Sequence, residues 1–486
     1  MPEQSIKKKT TDGLIWSGAQ KLVSRGLQFV FSILIARILL PEDYGIVAIA
    51  NLFITLSDIL VDSGFSKALI RKNDKTELDY NTVFWFNLAV SCILYVLLFF
   101  LAPLIGRWYH STGVLVPVIR IISLSLIINA ICGIQSLHMV IEMNFRKLAI
   151  LETIAMGLGG VAGLVAAIKG AGVWALVIQT IVSCFFRTLL MWLSSHWKPA
   201  FMFSTKTMGQ FFAFGSQLLL SEYINRIYTS VMTLAIGKRF NPEYLGYYGK
   251  AEAFASTPSS IFAGPLGSVS YPALAEIQNE KERMLKNFYS MMGLTAFMVL
   301  PVFVGLICTA KNLVPVFLTE KWNPMIPYLQ ILAFSYLINS MAIIPQNYLL
   351  ILGQSKRLFQ IQLFSKVLGL CLLPLLLSIS LLAICGGIVL VAATALSLTF
   401  IFLKREFDFS TRSLLGAIFP SVLTVLVMTA AILLSNHFID NALIALIAGV
   451  AIGGMVYFGL SIIMKNQQLY QLRDLLSPYL KVFSQK

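Results

Sequence analysis

Ionisable side chains recur at helical spacing inside segments that are otherwise apolar. Lys21, Arg25, Gln28 and Ser32 follow one another at intervals of 4, 3 and 4 residues. That spacing sets them on one face of a helix. Asn51, Thr55, Asp58 and Asp62 repeat it. A third group is Glu222, Asn225, Arg226, Thr229 and Thr233, and a fourth is Lys250, Glu252, Ser256 and Ser259. An ionised group in hydrocarbon is costly, so each must face a cavity or a partner. Arginine grips phosphate through two parallel N–H donors, and lysine offers a point charge. Arg25, Arg226, Lys21 and Lys250 are therefore the candidate binding residues for an anionic, phosphate-bearing substrate. Asp58, Glu222 and Glu252, with Asn51 and Asn225, are candidates for polar cavity lining or ion coupling. The competing reading is local neutralisation. Glu222 lies one turn from Arg226, and Lys21 and Asp58 both fall about 10–12 Å from the inner end of their spans. Arg25 lies deeper, about 16 Å in, near mid-membrane.

The elements that position these groups follow from composition. Of 486 residues, 57% are hydrophobic and only 12% are charged, with a mean hydropathy of +0.80. A soluble chain carries about a quarter of its residues as charges. That difference excludes a soluble enzyme, a disulfide scaffold and a disordered chain. The remaining class is an all-α, polytopic membrane protein. A span needs roughly 20 apolar residues. Fourteen candidates meet this: 14–38, 44–66, 82–105, 115–140, 148–168, 172–194, 211–237, 244–268, 287–310, 325–351, 358–379, 382–403, 413–435 and 441–464. The pairs 148–168/172–194 and 358–379/382–403 leave room only for tight hairpins. The N-terminal apolar stretch follows Lys7, Lys8 and Lys9 as a signal peptide would. Lys21 and Arg25 interrupt it and it runs to Leu40, so a retained first span is expected.

With the N-terminus inside, 23 of the 37 Lys and Arg residues fall in inside segments, 6 outside and 8 within spans. This bias predicts an even number of spans with both termini cytoplasmic, and it turns the net charge of +15 mainly into a topology signal. Connections are too short for a soluble catalytic domain. The sequence has no G-x-x-x-x-G-K-[ST], H-E-x-x-H or G-x-S-x-G motif, so no enzymatic activity, cofactor or metal is expected. The six cysteines sit in apolar runs without a C-x-x-C pair, as reduced packing residues do. Arg37, Arg120 and Arg187 lie near span ends, where they snorkel. Trp108, Trp192, Trp197 and Trp322 read as interfacial anchors. Gly159/Gly163 and Gly449/Gly453 have the spacing of close helix contacts. The stretch from Lys465 to Lys486 reads as a basic surface segment.

The chain also repeats itself. At a shift of 201, Pro41, Glu42 and Gly45 match Pro242, Glu243 and Gly246, while Arg25 matches Arg226 and Arg37 matches Lys238. At a shift of 210, Pro117, Ile121, Ser125, Ile128 and Asn129 match Pro327, Ile331, Ser335, Ile338 and Asn339. Two six-helix lobes of the same orientation are expected, 1–200 and 201–404. Residues 405–486 add two further spans and a cytoplasmic tail. Two similar lobes around a cleft suggest alternating access by rocking.

Several stretches resemble one family. They are ILIARILLPEDYG at Ile33–Gly45, DSGFSKALI at Asp62–Ile70, LGYYGKAEAFASTP at Leu245–Pro258 and YPALAEIQNEKERM at Tyr271–Met284. Together they are similar to bacterial polysaccharide flippases of the multidrug/oligosaccharidyl-lipid/polysaccharide exporter superfamily. The likeness is to the colanic-acid and teichuronic-acid exporter branch of lipopolysaccharide biosynthesis proteins. The resemblance implies a V-shaped pair of lobes and a bacterial inner-membrane location. It implies an undecaprenyl-diphosphate-linked oligosaccharide as substrate, cavity cations that meet its anionic groups, and polysaccharide polymerase or assembly proteins as partners. No nucleic-acid partner is implied. Two alternatives remain open at this point: a cation-coupled drug or metabolite antiporter of the same superfamily, and a membrane-embedded polysaccharide polymerase or ligase. Short outer connections weigh against the enzyme.

Overall fold

Hydrocarbon gives a peptide group no hydrogen-bond partner, so a run that crosses a bilayer satisfies its backbone internally as a helix. The computed structural model describes residues 24–473 apart from 63–64, 73, 110, 264–266, 268–269 and 272–273, and all regular structure in them is helical. In chain order the helices are α1 (24–38), α2 (Pro41–Asp62), α3 (Phe65–Arg71), α4 (Glu77–Trp108), α5 (Thr112–Ile122), α6 (Leu124–Ile141), α7 (Phe145–Ile168) and α8 (Trp174–Ser194). There follow α9 (Thr205–Arg239), α10 (Pro242–Pro258), α11 (Lys281–Leu318), α12 (Ile326–Ile351), α13 (Ser355–Ile379), α14 (Leu381–Phe407), α15 (Thr411–Phe438), α16 (Ala442–Ile463) and α17 (467–473). Each of the fourteen expected spans overlaps a described helix. Ten segments are long and apolar enough to cross a membrane among the described residues. Large apolar side chains such as Phe100, Leu426 and Leu434 remain exposed on these helices, as lipid-facing residues do.

The chain divides into two compact units, Met1–Gly246 and Tyr247–Lys486. In the first, α7 and α8 form the expected hairpin through Gly170 and Gly172, both at positive φ. Small residues let α7 approach its neighbours closely. A Cβ on Gly159 would come within 1.9 Å of Ser183 Oγ, one on Gly163 within 2.7 Å of Gln179 Cβ, and one on Gly160 within 2.3 Å of the Phe31 ring. The G-x-x-x-G spacing thus serves α8, and the intervening Gly160 serves α1. At one end of the unit, Thr76 and Asp79 form a capping box at the start of α4, and Lys72 Nζ lies 2.7 Å from the Asp79 carboxylate. Phe65, Leu69, Tyr80, Phe84 and Trp197 close over them as a buried cluster.

The sequence repeat has a structural counterpart in this unit. Pro41 and Pro242 begin α2 and α10, positions where the missing N–H of proline is harmless. A Cβ on Gly45 would lie 1.6 Å from the Pro242 carbonyl oxygen, and one on Gly246 would lie 1.9 Å from that of Pro41. The contact is reciprocal: each glycine receives the proline of the other copy, as in a two-fold arrangement.

In the second unit, α11 is the long central helix, packed by α12, α15 and α16. Tyr457 Oη donates to the Phe297 carbonyl at 2.8 Å, fastening α16 to α11. Tyr348 Oη donates to the Met284 carbonyl at 3.1 Å, fastening α12 to α11. Gly449 and Gly453 pack on Ile432 of α15. Ser380 and Asn441 cap α14 and α16, closing the α13–α14 and α15–α16 hairpins. Two tryptophans read as interfacial anchors take another role. Trp197 and Trp322 are buried within the protein, because each has helices packed around it and spends its apolar surface there.

The glycine–proline contact is testable. Gly45→Ala forces a methyl group onto backbone, so the variant should lose about 2 kcal/mol or more of stability. Gly133→Ala, where a Cβ meets nothing within 4 Å, should not. Thermal unfolding of the two purified variants checks this, and an unchanged midpoint for Gly45→Ala would contradict it.

Candidate functional site

Polar groups from five helices of the first unit converge on a cavity of about 680 Å3. Gln28 and Ser32 come from α1, Tyr44 and Asn51 from α2, Asn129 from α6 and Glu152 from α7. Gln179, Ser183 and Arg187 come from α8, spaced by four so that they share one face, with Thr180 and Cys184 beside them. The walls are tied together across helices. Tyr44 Oη donates to the Ser32 carbonyl at 3.5 Å, and the Ser24 and Thr153 hydroxyls lie 3.1 Å apart. Thr188 Oγ1 donates to the Ile128 carbonyl at 3.0 Å and Trp192 Nε1 to that of Ile131 at 3.1 Å, fixing α8 on α6.

The charge in this cavity is an ion pair, Arg187 to Glu152 at 3.3 Å, with each side chain about a third exposed. Arg187 Nε is buried without a hydrogen-bond partner. The guanidinium, about a third exposed, carries five N–H donors, more than its contact with Glu152 uses. Amides and hydroxyls supply both donors and acceptors around it. Such a lining suits a ligand rich in hydroxyls that also carries negative charge. Among the described residues no three His, Cys, Asp or Glu side chains come together as a metal site.

Of the residues singled out by spacing, the cavity gathers Asn51, together with Gln28 and Ser32 from the face of span 1. Arg25 is exposed on α1, one turn before Gln28, outside the cavity lining. Asp58 is half-buried on α2 and outside the cavity lining. Arg226 is exposed on α9, and its carbonyl accepts from Thr229 Oγ1 at 3.0 Å. Lys21 and the side chains of Glu222 and Asn225 lie outside the described residues. Lys250 and Glu252 belong to the second unit. Lys250 is buried with Nζ 5.9 Å from the Trp322 ring centroid, and Glu252 accepts from Tyr336 Oη at 3.4 Å.

Spacing along single helices missed Glu152 and Arg187. Arg187 had the look of a snorkelling residue near a span end, yet it turns inward because Glu152 is across from it. The usable signal was the hairpin itself. In two antiparallel helices joined at residues 169–171, positions 152 and 187 stand at nearly the same depth, so opposite charges there can meet.

Removing one partner strands the other in the membrane. Glu152→Gln and Arg187→Gln should each lower thermal stability, and the exchange of Glu152→Arg with Arg187→Glu should recover part of the loss. Partial exposure keeps the coupling near roughly 1 kcal/mol. A double-mutant cycle measures it, and strict additivity would show that the pair does not act as one.

Residues 34–327 match the family described as Polysaccharide biosynthesis protein. The chain is 28% identical over 342 residues to the Lipopolysaccharide biosynthesis protein WzxC of Escherichia coli (strain K12), a match covering 69% of this chain and 68% of that protein. It is 26% identical over 481 residues to the Succinoglycan biosynthesis transport protein ExoT of Rhizobium meliloti (strain 1021), covering 96% of each. Among solved structures, it has the fold of the Lipid II flippase MurJ in an inward closed conformation, with a TM-score of 0.74 at 16% identity, covering 94% of this chain and 100% of that one. It also has the fold of an inward-facing multidrug resistance MATE family transporter of the MOP superfamily, with a TM-score of 0.62 at 15% identity, covering 79% and 94%. With ten segments long and apolar enough to cross a bilayer and a family match over more than half its length, the chain is a multi-pass membrane protein that belongs to the polysaccharide biosynthesis protein family.

Proposed function

We propose that the chain is a flippase that carries an undecaprenyl-diphosphate-linked oligosaccharide, or a related polysaccharide precursor, across the bacterial inner membrane by alternating access. No covalent bond is made or broken. The observation that carries this reading is the 680 Å3 polar cavity built from membrane helices, whose hydroxyls, amides and Arg187 match a sugar with negative charge. The relatives' names, a lipopolysaccharide biosynthesis protein and a succinoglycan biosynthesis transport protein, support a polysaccharide-related cargo. The two lobes run from 1–200 and 201–404, with 405–486 appended, and both termini face the cytoplasm, as the Lys and Arg distribution indicates.

The cations divide the task. Arg25 and Arg226 occupy equivalent places in the repeat and are exposed on α1 and α9, so each is accessible to a diphosphate. Lys21 and Lys250 are supporting cations. Asp58, Glu222 and Glu252 hold or relay the coupling charge, and Asn51 and Asn225 line the path. The lipid portion needs a separate surface. A second cavity, of about 530 Å3, lies in the second unit between α11, α15 and α16, and its lining is almost wholly apolar, including Phe262, Met298, Val302, Val450 and Phe458. A polyprenyl chain fits that chemistry. Polymerase or assembly proteins that receive the product are the expected partners.

The double variant Arg25→Ala/Arg226→Ala should abolish surface polysaccharide in a strain that depends on this protein, at an unchanged membrane level of the protein. Full export by that variant would overturn the cationic-site reading. Gly305 and Gly454 line the apolar cavity with open space at the position of a Cβ. Gly305→Trp and Gly454→Trp should therefore place an indole in it and cut export severely at an unchanged membrane level of the protein. Normal export by both would remove this cavity from the lipid path.

A further inference from the structure

A third recess, of about 910 Å3, lies at one end of the second unit, where the start of α11, the start of α15, the end of α16 and the short α17 meet. Its charged residues are Arg283, Lys286 and Lys465 against one carboxylate, Glu276. Arg283 is also hydrogen-bonded to Glu280, at 3.2 and 3.3 Å. The balance is positive, and Lys286 and Lys465 stand exposed at the recess.

Asn466 supplies the sharper observation. It is 97% buried, its Oδ1 accepts from the Gln468 backbone N–H at 3.1 Å, and its Nδ2 has no hydrogen-bond partner. A buried donor is rarely left unmade, so one that lines a recess calls for an acceptor delivered from it. The turn that places it is specific. Asn466 N–H bonds to the Ser461 carbonyl at 2.9 Å, which ends α16 and leaves Lys465 at φ +48°. That left-handed position favours glycine or asparagine. The lysine there carries its charge to the recess despite the backbone preference.

The surroundings identify what kind of anion comes. Next to the lining residues along α15 and α16 stand Leu415, Phe419, Ile462 and Ile463, all exposed and apolar. A free phosphate has no use for such a border, whereas acyl chains do. Basic recesses between membrane helices at the cytoplasmic side take anionic headgroups. Lys281, Arg405 and Arg412 gather at the ends of the chain segments that the charge distribution assigns to that side.

We propose that this recess binds the headgroup of a resident anionic phospholipid, with Asn466 donating to a phosphate oxygen and Lys286 and Lys465 neutralising it. The site is separate from the sugar cavity and the apolar lipid path.

The test uses the full-length protein, purified in detergent and stripped of lipid. Binding of fluorescent phosphatidylglycerol is titrated against binding of fluorescent phosphatidylcholine. Phosphatidylglycerol should bind at least about fivefold tighter. Asn466→Leu and Lys286→Gln should each weaken it about fivefold or more. Lys465→Asn should do the same while suiting the left-handed turn better than lysine does, which guards against a folding defect. Lys356→Gln, an exposed lysine outside the recess, should bind as the unaltered protein does. Equal affinity for the two lipids, or unchanged binding by Lys286→Gln and Lys465→Asn, would overturn the proposal. Displacement by millimolar inorganic pyrophosphate would assign the recess to a free anion, and displacement by equimolar undecaprenyl diphosphate would assign it to the transported substrate; either result also overturns it. The readout is binding alone, so failure here leaves the export reading to its own experiment.

Discussion

A charge in hydrocarbon persists only where an opposite charge or water stays with it, and the first unit is arranged around that condition. Arg187 and Glu152 meet because α7 and α8 lie unusually close. The closeness comes from Gly159 and Gly163, whose missing side chains let Ser183 and Gln179 of α8 press on the α7 backbone. Gly160 admits Phe31 from the other side and so brings α1, with Gln28 and Ser32, to the same place. Three glycines thus set the helix spacing, the spacing permits the ion pair, and the pair makes a polar cavity tolerable inside the membrane. A larger residue at any of the three would act on the cavity through geometry before it acted through chemistry.

In the second unit two ionisable groups lie inside the protein beside aromatic side chains. Lys250 is held beneath protein with Trp322 nearby, and Glu252 is hydrogen-bonded to Tyr336. The cavity between α11, α15 and α16 is almost free of polar surface. Polar and cationic groups line the recess at one end of those helices, around Asn466 and the lysines. The unit therefore grades from apolar to cationic along the axes of the same three helices, as a membrane grades from acyl chains to headgroups.

The helical class, the hairpins and the glycine contacts were legible in the sequence because each rests on local pattern: apolar runs, short connections, small residues four apart. The repeat was legible because proline and glycine matches rarely arise within apolar sequence by chance. The candidate site was only partly legible. Gln28 and Ser32 on α1 and Asn51 on α2 were marked by the spacing along their own helices, and they do line the cavity. Glu152 and Arg187 were not, because their significance lies between helices and a face-by-face reading treats each helix alone. Trp322 misled for a related reason. An aromatic residue near a span end suits the lipid interface and a packed helix junction equally, and only the neighbours decide.

The reciprocal contact of Gly45 with Pro242 and of Gly246 with Pro41 bears on how such a chain could arise. A patch that fits its own copy is the hallmark of a symmetric dimer interface. A half-length chain carrying one proline–glycine motif would already have presented such a patch, able to pair with an identical molecule before any fusion. Duplication in tandem would then have preserved a working interface and removed the entropy of bringing two chains together. The contact itself restricts later change. Either copy can drift in sequence only as far as the other leaves room for its backbone, so a substitution at one glycine selects for adjustment two hundred residues away.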